Sequence, residues 1–351
     1  MDITQLLHEA VDQGASDIFI VPGRALSYRK SDQIYIYNSQ VLMPNDTRDL
    51  IQQLYNLDKR NSSDFLENGD DDFSVSIPGL SRFRVSAYRQ RGSYSAVVRV
   101  ISFNLPDPGK LSIPESVINL GNYNKGMILV TGPAGSGKST TLACIIDYIN
   151  NSRANHIITL EDPIEFLHSH KKSIVSQREI QLDTKSYVTA LRAALRQSPD
   201  VILLGEMRDY ETISVAMTAA ETGHLLFSSL HTIGAANTIN RIIDVFPAHQ
   251  QKQIAVQLST VLTAVVSQQL IPDVDGNIIP VFEMMTVTPA IRNMIRDGKV
   301  YQIDGVIYSS DTADMVSMDT NLFKLYSAGR ITKDTALMYS LNPEMMSRKI
   351  H

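Results

Sequence analysis

The sequence has 351 residues, enough for about two domains at roughly 150 residues each, and it is 43% hydrophobic and 20% charged. That composition suits a globular chain with a large core and excludes disordered, collagen-like and disulfide-stapled classes. A net charge of −5 offers no basic field to nucleic acid, and the lone Cys144 allows neither an intramolecular disulfide nor a cysteine zinc site.

The amino terminus has no basic segment leading into an apolar one, and every apolar run, Val261 to Leu270 included, is broken well short of the roughly 18 residues a membrane span needs. We therefore expect a cytoplasmic protein, at most peripheral to the membrane. Ile3, Leu6, Leu7, Ala10 and Val11 make one apolar helical stripe that stops before Gly14. A strand over Asp17 to Val21, an extended stretch at Tyr35 and Tyr37, and a helix carrying Leu50, Ile51, Leu54 and Tyr55 follow. The period then becomes two. Phe73, Val75 and Ile77 lead to a Pro78-Gly79 turn, and Phe83, Val85 and Ala87 return, with Arg82 and Arg84 on the opposite face. The Asp70-Asp71-Asp72 cluster reads as a solvated turn.

After a strand over Ala96 to Ile101, two prolines and a glycine between Asn104 and Lys110 interrupt regular structure. The expected domains are 1–100, a linker over 101–113, and 114–351, with a helical subregion from about 285. In the second, short apolar strands (Met127 to Thr131, Ile157 to Leu160, Val201 to Leu204, Leu225 to Leu230) alternate with helical stretches, the pattern of a parallel sheet covered on both faces. Helices are expected after Thr288-Pro289, around Asn321 to Ser327, and after Thr332.

Gly132-Pro133-Ala134-Gly135-Ser136-Gly137-Lys138-Ser139 satisfies G-x4-G-K-[ST], between a strand and a helix that opens with Thr140. Glycines let successive N–H groups face inward, and the helix N-terminus adds positive potential. A triphosphate suits that nest, with Lys138 on the β- and γ-phosphates and the Ser139 hydroxyl on Mg²⁺. Such a loop calls for a carboxylate strand beside it, and Val201 to Leu204 followed by Gly205-Glu206 supplies one, with glycine where an Asp is usual. Glu206 alone would serve the metal. Glu161-Asp162-Pro163-Ile164-Glu165 follows another strand end, where Glu165 would polarise the attacking water. His224 and His231 bracket the last strand and cannot share a metal. His231 stands between a γ-phosphate sensor and a structural histidine, and Arg82, Arg84 and Arg99 between a functional cluster and a solvated strand face.

These motifs, with Gly205-Glu206-Met207-Arg208-Asp209 and Gly223-His224 through His231-Thr232, resemble in order and spacing the secretion ATPase superfamily of type II secretion and type IV pili, where they are the Walker A, Asp box, Walker B and His box. The likeness spans nearly the whole chain, including Gln13-Gly14-Ala15-Ser16-Asp17 and Ala219 to His224. Ala290-Ile291-Arg292-Asn293-Met294-Ile295-Arg296 resembles a helix signature of the retraction motors. The resemblance implies a PAS-like α+β N-terminal domain, a RecA-like P-loop α/β core with C-terminal helices, and a homohexamer with ATP between the domains. It further implies Glu165 as general base, Glu206 at Mg²⁺, His231 near the γ-phosphate, and Arg82, Arg84 and Arg99 reaching the nucleotide.

The function so implied is ATP-driven pilus retraction, acting on an inner-membrane platform protein and swinging one domain about Pro106 to Lys110. Pilus assembly or secretion by the same motor is the alternative, and a non-hydrolysing regulatory scaffold a third reading. A nucleic-acid translocase fits the acidic composition poorly. The chain departs from the pattern at Ile18-Phe19-Ile20-Val21, where the family has a histidine, at Tyr28 to Asp32, which lacks a glycine turn, and at Asn240 before Arg241.

Overall fold

A computed structural model describes residues 2–30, 33–101, 105–310 and 312–350. Ser31, Asp32, residues 102–104 of the expected linker and His351 lie outside the described residues. The chain forms two compact units, Met1–Asn104 with Glu165–Leu167, and Leu105–Ile164 with His168–His351.

In the first unit, α1 (Ile3–Asp12), β1 (Asp17–Ile20), β2 (Ala25–Lys30), β3 (Gln33–Val41), α2 (Pro44–Leu57), α3 (Ser63–Asn68), β4 (Asp70–Ile77), β5 (Ser81–Gln90) and β6 (Ser93–Ile101) follow in order. The strands make one antiparallel sheet, β3-β2-β1-β6-β5-β4. The apolar stripe of α1 and the buried residues of α2 pack with the inward residues Phe73, Val75, Phe83 and Val85 in one core. Period-two alternation thus leaves one sheet face for polar side chains. The acidic cluster is not a turn: Asp70, Asp71 and Asp72 open β4, where Asp71 pairs with Arg60 at 2.9 Å and accepts from the Tyr55 hydroxyl at 2.9 Å.

The second unit contains α4 (Glu115–Ile118), β7 (Gly126–Thr131), α5 (Lys138–Ser152), β8 (His156–Glu161), β9 (Ile174–Glu179), α6 (Tyr187–Ala194), β10 (Val201–Leu204), α7 (Tyr210–Glu221), β11 (Leu225–Leu230), α8 (Ala235–Asp244), α9 (Ala248–Val261), β12 (Leu262–Pro272) and β13 (Ile278–Thr286). The tail adds α10 (Pro289–Arg296), α11 (Ile303–Tyr308), β14 (Met315–Val316), α12 (Met318–Ser327), α13 (Lys333–Tyr339) and α14 (Pro343–Lys349). The sheet order is β14-β13-β12-β7-β11-β10-β8-β9. Neighbours from β12 to β9 run parallel, whereas β13 and β14 are antiparallel additions, so the expected parallel sheet is a mixed one.

Both faces of the sheet are covered. Met127 and Leu129 point into a core shared with α6 to α11, and Ile128 and Val130 into one shared with α4 and α5. Burial on both sides explains why these strands read as continuous apolar runs. A separate cluster of Ile271, Val281, Met318, Leu322, Ala336 and Met346 seats α12, α13 and α14 on the ends of β12 and β13.

Candidate functional site

β7 delivers the chain into the phosphate loop, and α5 begins at Lys138. Gly132 and Gly137 take φ of 146° and 84°, the second as the residue that opens α5. A Cβ on Gly132 would lie 2.1 Å from the Gln268 carbonyl oxygen, so sterics as well as φ require glycine there; one on Gly137 would lie 2.9 Å from Gln268 Nε2, and at that position it is φ that favours glycine. The Lys138 ammonium is buried and donates to the carbonyls of Gly132 and Pro133, both at 2.9 Å. Ser136 Oγ is buried without a hydrogen-bond partner among the described residues. A curled backbone at a helix N-terminus, an ammonium held over it and an orphan hydroxyl together fit a polyphosphate tail. Pro133, Ala134 and Gly135 form the exposed rim of the loop, with Ser139 exposed and Thr140 half-buried at the start of α5.

β7 lies between β12 and β11; the histidine follows β11 directly, and β10, which leads to the acid, lies one strand farther out. In a parallel sheet all these C-terminal ends share one edge, so the loop, His231 and Glu206 come to the same side. Glu206 keeps 14% of its side chain exposed; Arg208 Nε lies 2.7 Å and His231 Nε2 3.5 Å from its Oε2. Glu206 raises the affinity of the Arg208 guanidinium for its proton, first through their hydrogen bond. The missing Asp has a packing reason: a Cβ on Gly205 would lie 2.9 Å from the Tyr187 hydroxyl and 3.3 Å from the Leu160 carbonyl oxygen. Burial, reinforced by Glu206, Asp162 and Glu161, keeps that phenol protonated. Asp209 caps α7 by accepting from Thr212 N at 2.8 Å.

At the end of β8, Glu161 Oε1 accepts from the Thr159 hydroxyl at 2.6 Å and from Gln177 Nε2 at 3.3 Å. Glu165 follows beyond the cis Asp162–Pro163 bond, is exposed, and groups with residues 1–104. Among the described residues no three His, Cys, Asp or Glu side chains cluster as a metal site. The oxygen donors Ser139 and Glu206 still suit Mg²⁺, a hard cation that keeps waters and shares phosphate oxygens instead of filling a protein cage.

Arg82, Arg84 and Arg99 lie in the first unit. Arg84 pairs in register with Arg99, and Arg82 lies two residues along, so all three share the face opposite Phe83 and Val85. Like charges directly opposite repel, and Arg99 is offset by Asp17, 3.0 Å away on β1. His224 sits at the far end of β11 from His231, with Nδ1 2.9 Å from the Ala219 carbonyl oxygen. Within α10, Ile291 and Ile295 are buried while Arg292 donates to the carbonyls of Ser259 and Thr260 at the end of α9.

Four contributors escape the motifs. Ser267, Gln268 and Gln269 are buried in the middle of the largely apolar β12, and Glu283 is buried on β13 opposite Ser267. Ser267 Oγ accepts from Gly234 N at 2.9 Å, and Glu283 accepts from Ala235 N at 2.8 Å and Met318 N at 3.2 Å. Together they hold the turn that follows His231. Three polar residues interrupting an apolar strand were the available signal, since buried polar groups need partners.

A phosphate loop between strand and helix, with an acid and a histidine on the same edge of a sheet covered on both faces, defines a P-loop nucleotide-binding α/β core. The profile described as "Type II/IV secretion system protein" matches residues 1–327. The chain belongs to that family. It is 44% identical over 344 residues to the type IV pilus retractation ATPase PilT of Pseudomonas aeruginosa, covering 98% of this chain and 99% of that one. It is 46% identical over 284 residues to a twitching motility protein of Neisseria gonorrhoeae, covering 81% of this chain and 76% of the other. A crystal structure of the pilus retraction motor PilT with bound ADP superposes with a TM-score of 0.90 at 43% identity, covering 99% of each chain.

Proposed function

We propose that the protein hydrolyses ATP and uses the energy to drive type IV pilus retraction, and with it twitching motility. The observation that carries this reading is the assembly of the Lys138 loop, Glu206 and His231 on one sheet edge, in a chain 44% identical to a retraction ATPase along 98% of its length. Main-chain amides of residues 132–137 bind the triphosphate, and Lys138 exchanges its carbonyl partners for phosphate oxygens. Ser139 and Glu206 would hold Mg²⁺, directly or through water, and the ion would supply positive charge to the transferring phosphoryl group. Glu165 accepts a proton from the attacking water, and His231 takes the sensing position beside Glu206.

The exposed Arg99, with Arg82 and Arg84, supplies further positive charge to the nucleotide. We further propose that the motor is a homohexamer at the cytoplasmic face of the inner membrane, working on a pilus platform protein, as the resemblance of the sequence motifs implies. Pilus assembly or secretion would use the same chemistry, so the test is genetic as well as enzymatic. Deletion is expected to leave surplus surface pili and abolish twitching, with both restored by the native gene and neither by Lys138→Ala. Bald cells would instead identify an assembly motor, and absence of phosphate release by the purified protein would identify a scaffold.

A further inference from the structure

We infer that Gln268, far from the nucleotide motifs in sequence, is a positioning residue that sets the shape of the phosphate loop. β12 is apolar at Leu262, Ala264, Val265, Val266 and Ile271, yet Ser267, Gln268 and Gln269 between them are all buried. Their partners lie on three different elements. Ser267 Oγ holds Gly234, Gln268 Oε1 accepts from the Thr141 hydroxyl at 2.7 Å, and Gln269 Nε2 donates to the Tyr339 carbonyl at 3.0 Å.

Gln268 meets the phosphate loop at both of its ends. Because β12 runs parallel to β7 with Ser267 opposite Thr131, the next residue of β12 lies beside Gly132, and its carbonyl oxygen closes the space a Cβ would need there. Its side chain crosses to the other end, with Nε2 against Gly137 and Oε1 on Thr141, in the first turn of α5. One residue therefore fixes the first and last glycines of the cradle and the helix that terminates it. Convergent N–H groups bind an anion only while their directions are held, so loss of this strut should loosen phosphate binding more than it loosens the fold.

The amide is suited to the task in a way a carboxylate is not. Glutamate would keep an acceptor for Thr141 at the same length, but would set a negative charge beside Gly137, where the amide places an N–H₂ group. This separates positioning from packing. This inference rests on the ATP-binding reading above.

The experiment uses the full-length chain and titrates Mg-ADP carrying a fluorescent ribose label, alongside KM and kcat for ATP and the nucleotide-free melting temperature. Gln268→Ala is expected to weaken ADP binding by about tenfold, the usual scale for losing a residue that orients a ligand-contacting group. Gln268→Glu is expected to weaken it further, and its buried carboxylate to lower the melting temperature as well. Thr141→Val should weaken binding less, and adding it to Gln268→Ala should cost little more, because both act through one bond. The inference is overturned if both Gln268 variants bind within twofold of the native protein, or if the Glu variant binds like native while only the Ala variant melts early. Failure of the native protein to bind Mg-ADP would instead overturn the ATP-binding reading itself.

Discussion

Arg208 Nε sits 2.7 Å from Glu206 Oε2, so the acid proposed to serve Mg²⁺ is held by the guanidinium two residues along its own chain. Arg208 is 75% exposed and Glu206 largely covered, so the arginine acts as a hinged counter-ion that a bound metal would displace. Arg208→Ala is accordingly expected to lower the Mg²⁺ concentration for half-maximal ATPase activity by about two- to fivefold at low salt, with the difference fading at high salt. A Mg²⁺ titration at fixed ATP checks it; an increased Mg²⁺ requirement would mean that Arg208 assists metal binding.

Lys138→Ala removes the only cation whose ammonium bridges the carbonyls of Gly132 and Pro133, among the hydrogen bonds of the described residues. ATP turnover should fall by about a hundredfold or more. Steady-state phosphate release measures it, and an unchanged rate would remove the phosphate loop from the chemistry.

Glu165→Gln keeps size and removes the basic oxygen. With Glu165 as the base, kcat should drop by roughly 10² to 10⁴ while labelled ADP still binds as tightly as to the native protein. Loss of binding in parallel with turnover would reassign Glu165 to nucleotide contact.

Burial pushes the Glu283 carboxyl up to about 7 from 4.5, against the lowering effect of the Ala235 and Met318 amides. The sign follows from linkage. Below pH 4.5 folded and unfolded chains both carry the proton; between 4.5 and 7 the unfolded chain ionises first, so this group's contribution to stability falls as pH rises, levelling off above 7. Glu283→Gln should therefore gain on the native protein between pH 5 and pH 7.5 by on the order of a few °C in melting temperature. A difference between the two melting temperatures that is the same at both pH values would show that Glu283 ionises in the fold as readily as in the unfolded chain.

Restoring an acid at the glycine before Glu206 should be costly. Gly205→Asp would press its Cβ on the Tyr187 hydroxyl, 2.9 Å away, and is expected to lose about 1–3 kcal/mol in urea denaturation. Adding Tyr187→Phe removes that oxygen and should recover part of the loss. Full stability of the single variant would show that Tyr187 has room to move.

Local signals carried the elements whose formation depends on nearby residues. The stripe of α1, the alternation of β4 and β5 across Pro78-Gly79, and the G-x4-G-K-S loop between strand and helix are all legible from spacing, because side-chain period and φ preference are short-range properties. Asp70 to Asp72 misled as a turn, since neither the β5 partner of this stretch nor the Arg60 that neutralises Asp71 is visible in local composition.

Residues 262–272 invited comparison only with a membrane segment, yet they form the strand whose polar residues hold the phosphate loop and the turn after His231. Strand order likewise had to be observed. It placed β11 between β7 and β10, so that His231 comes within 3.5 Å of Glu206. Chemical identity thus resides in motifs a few residues long, whereas the pairing of Gln268 with Thr141, of Arg208 with Glu206, and of Glu283 with two helix starts depends on sheet register and burial. Those depend on contacts between distant parts of the chain, which no local pattern records.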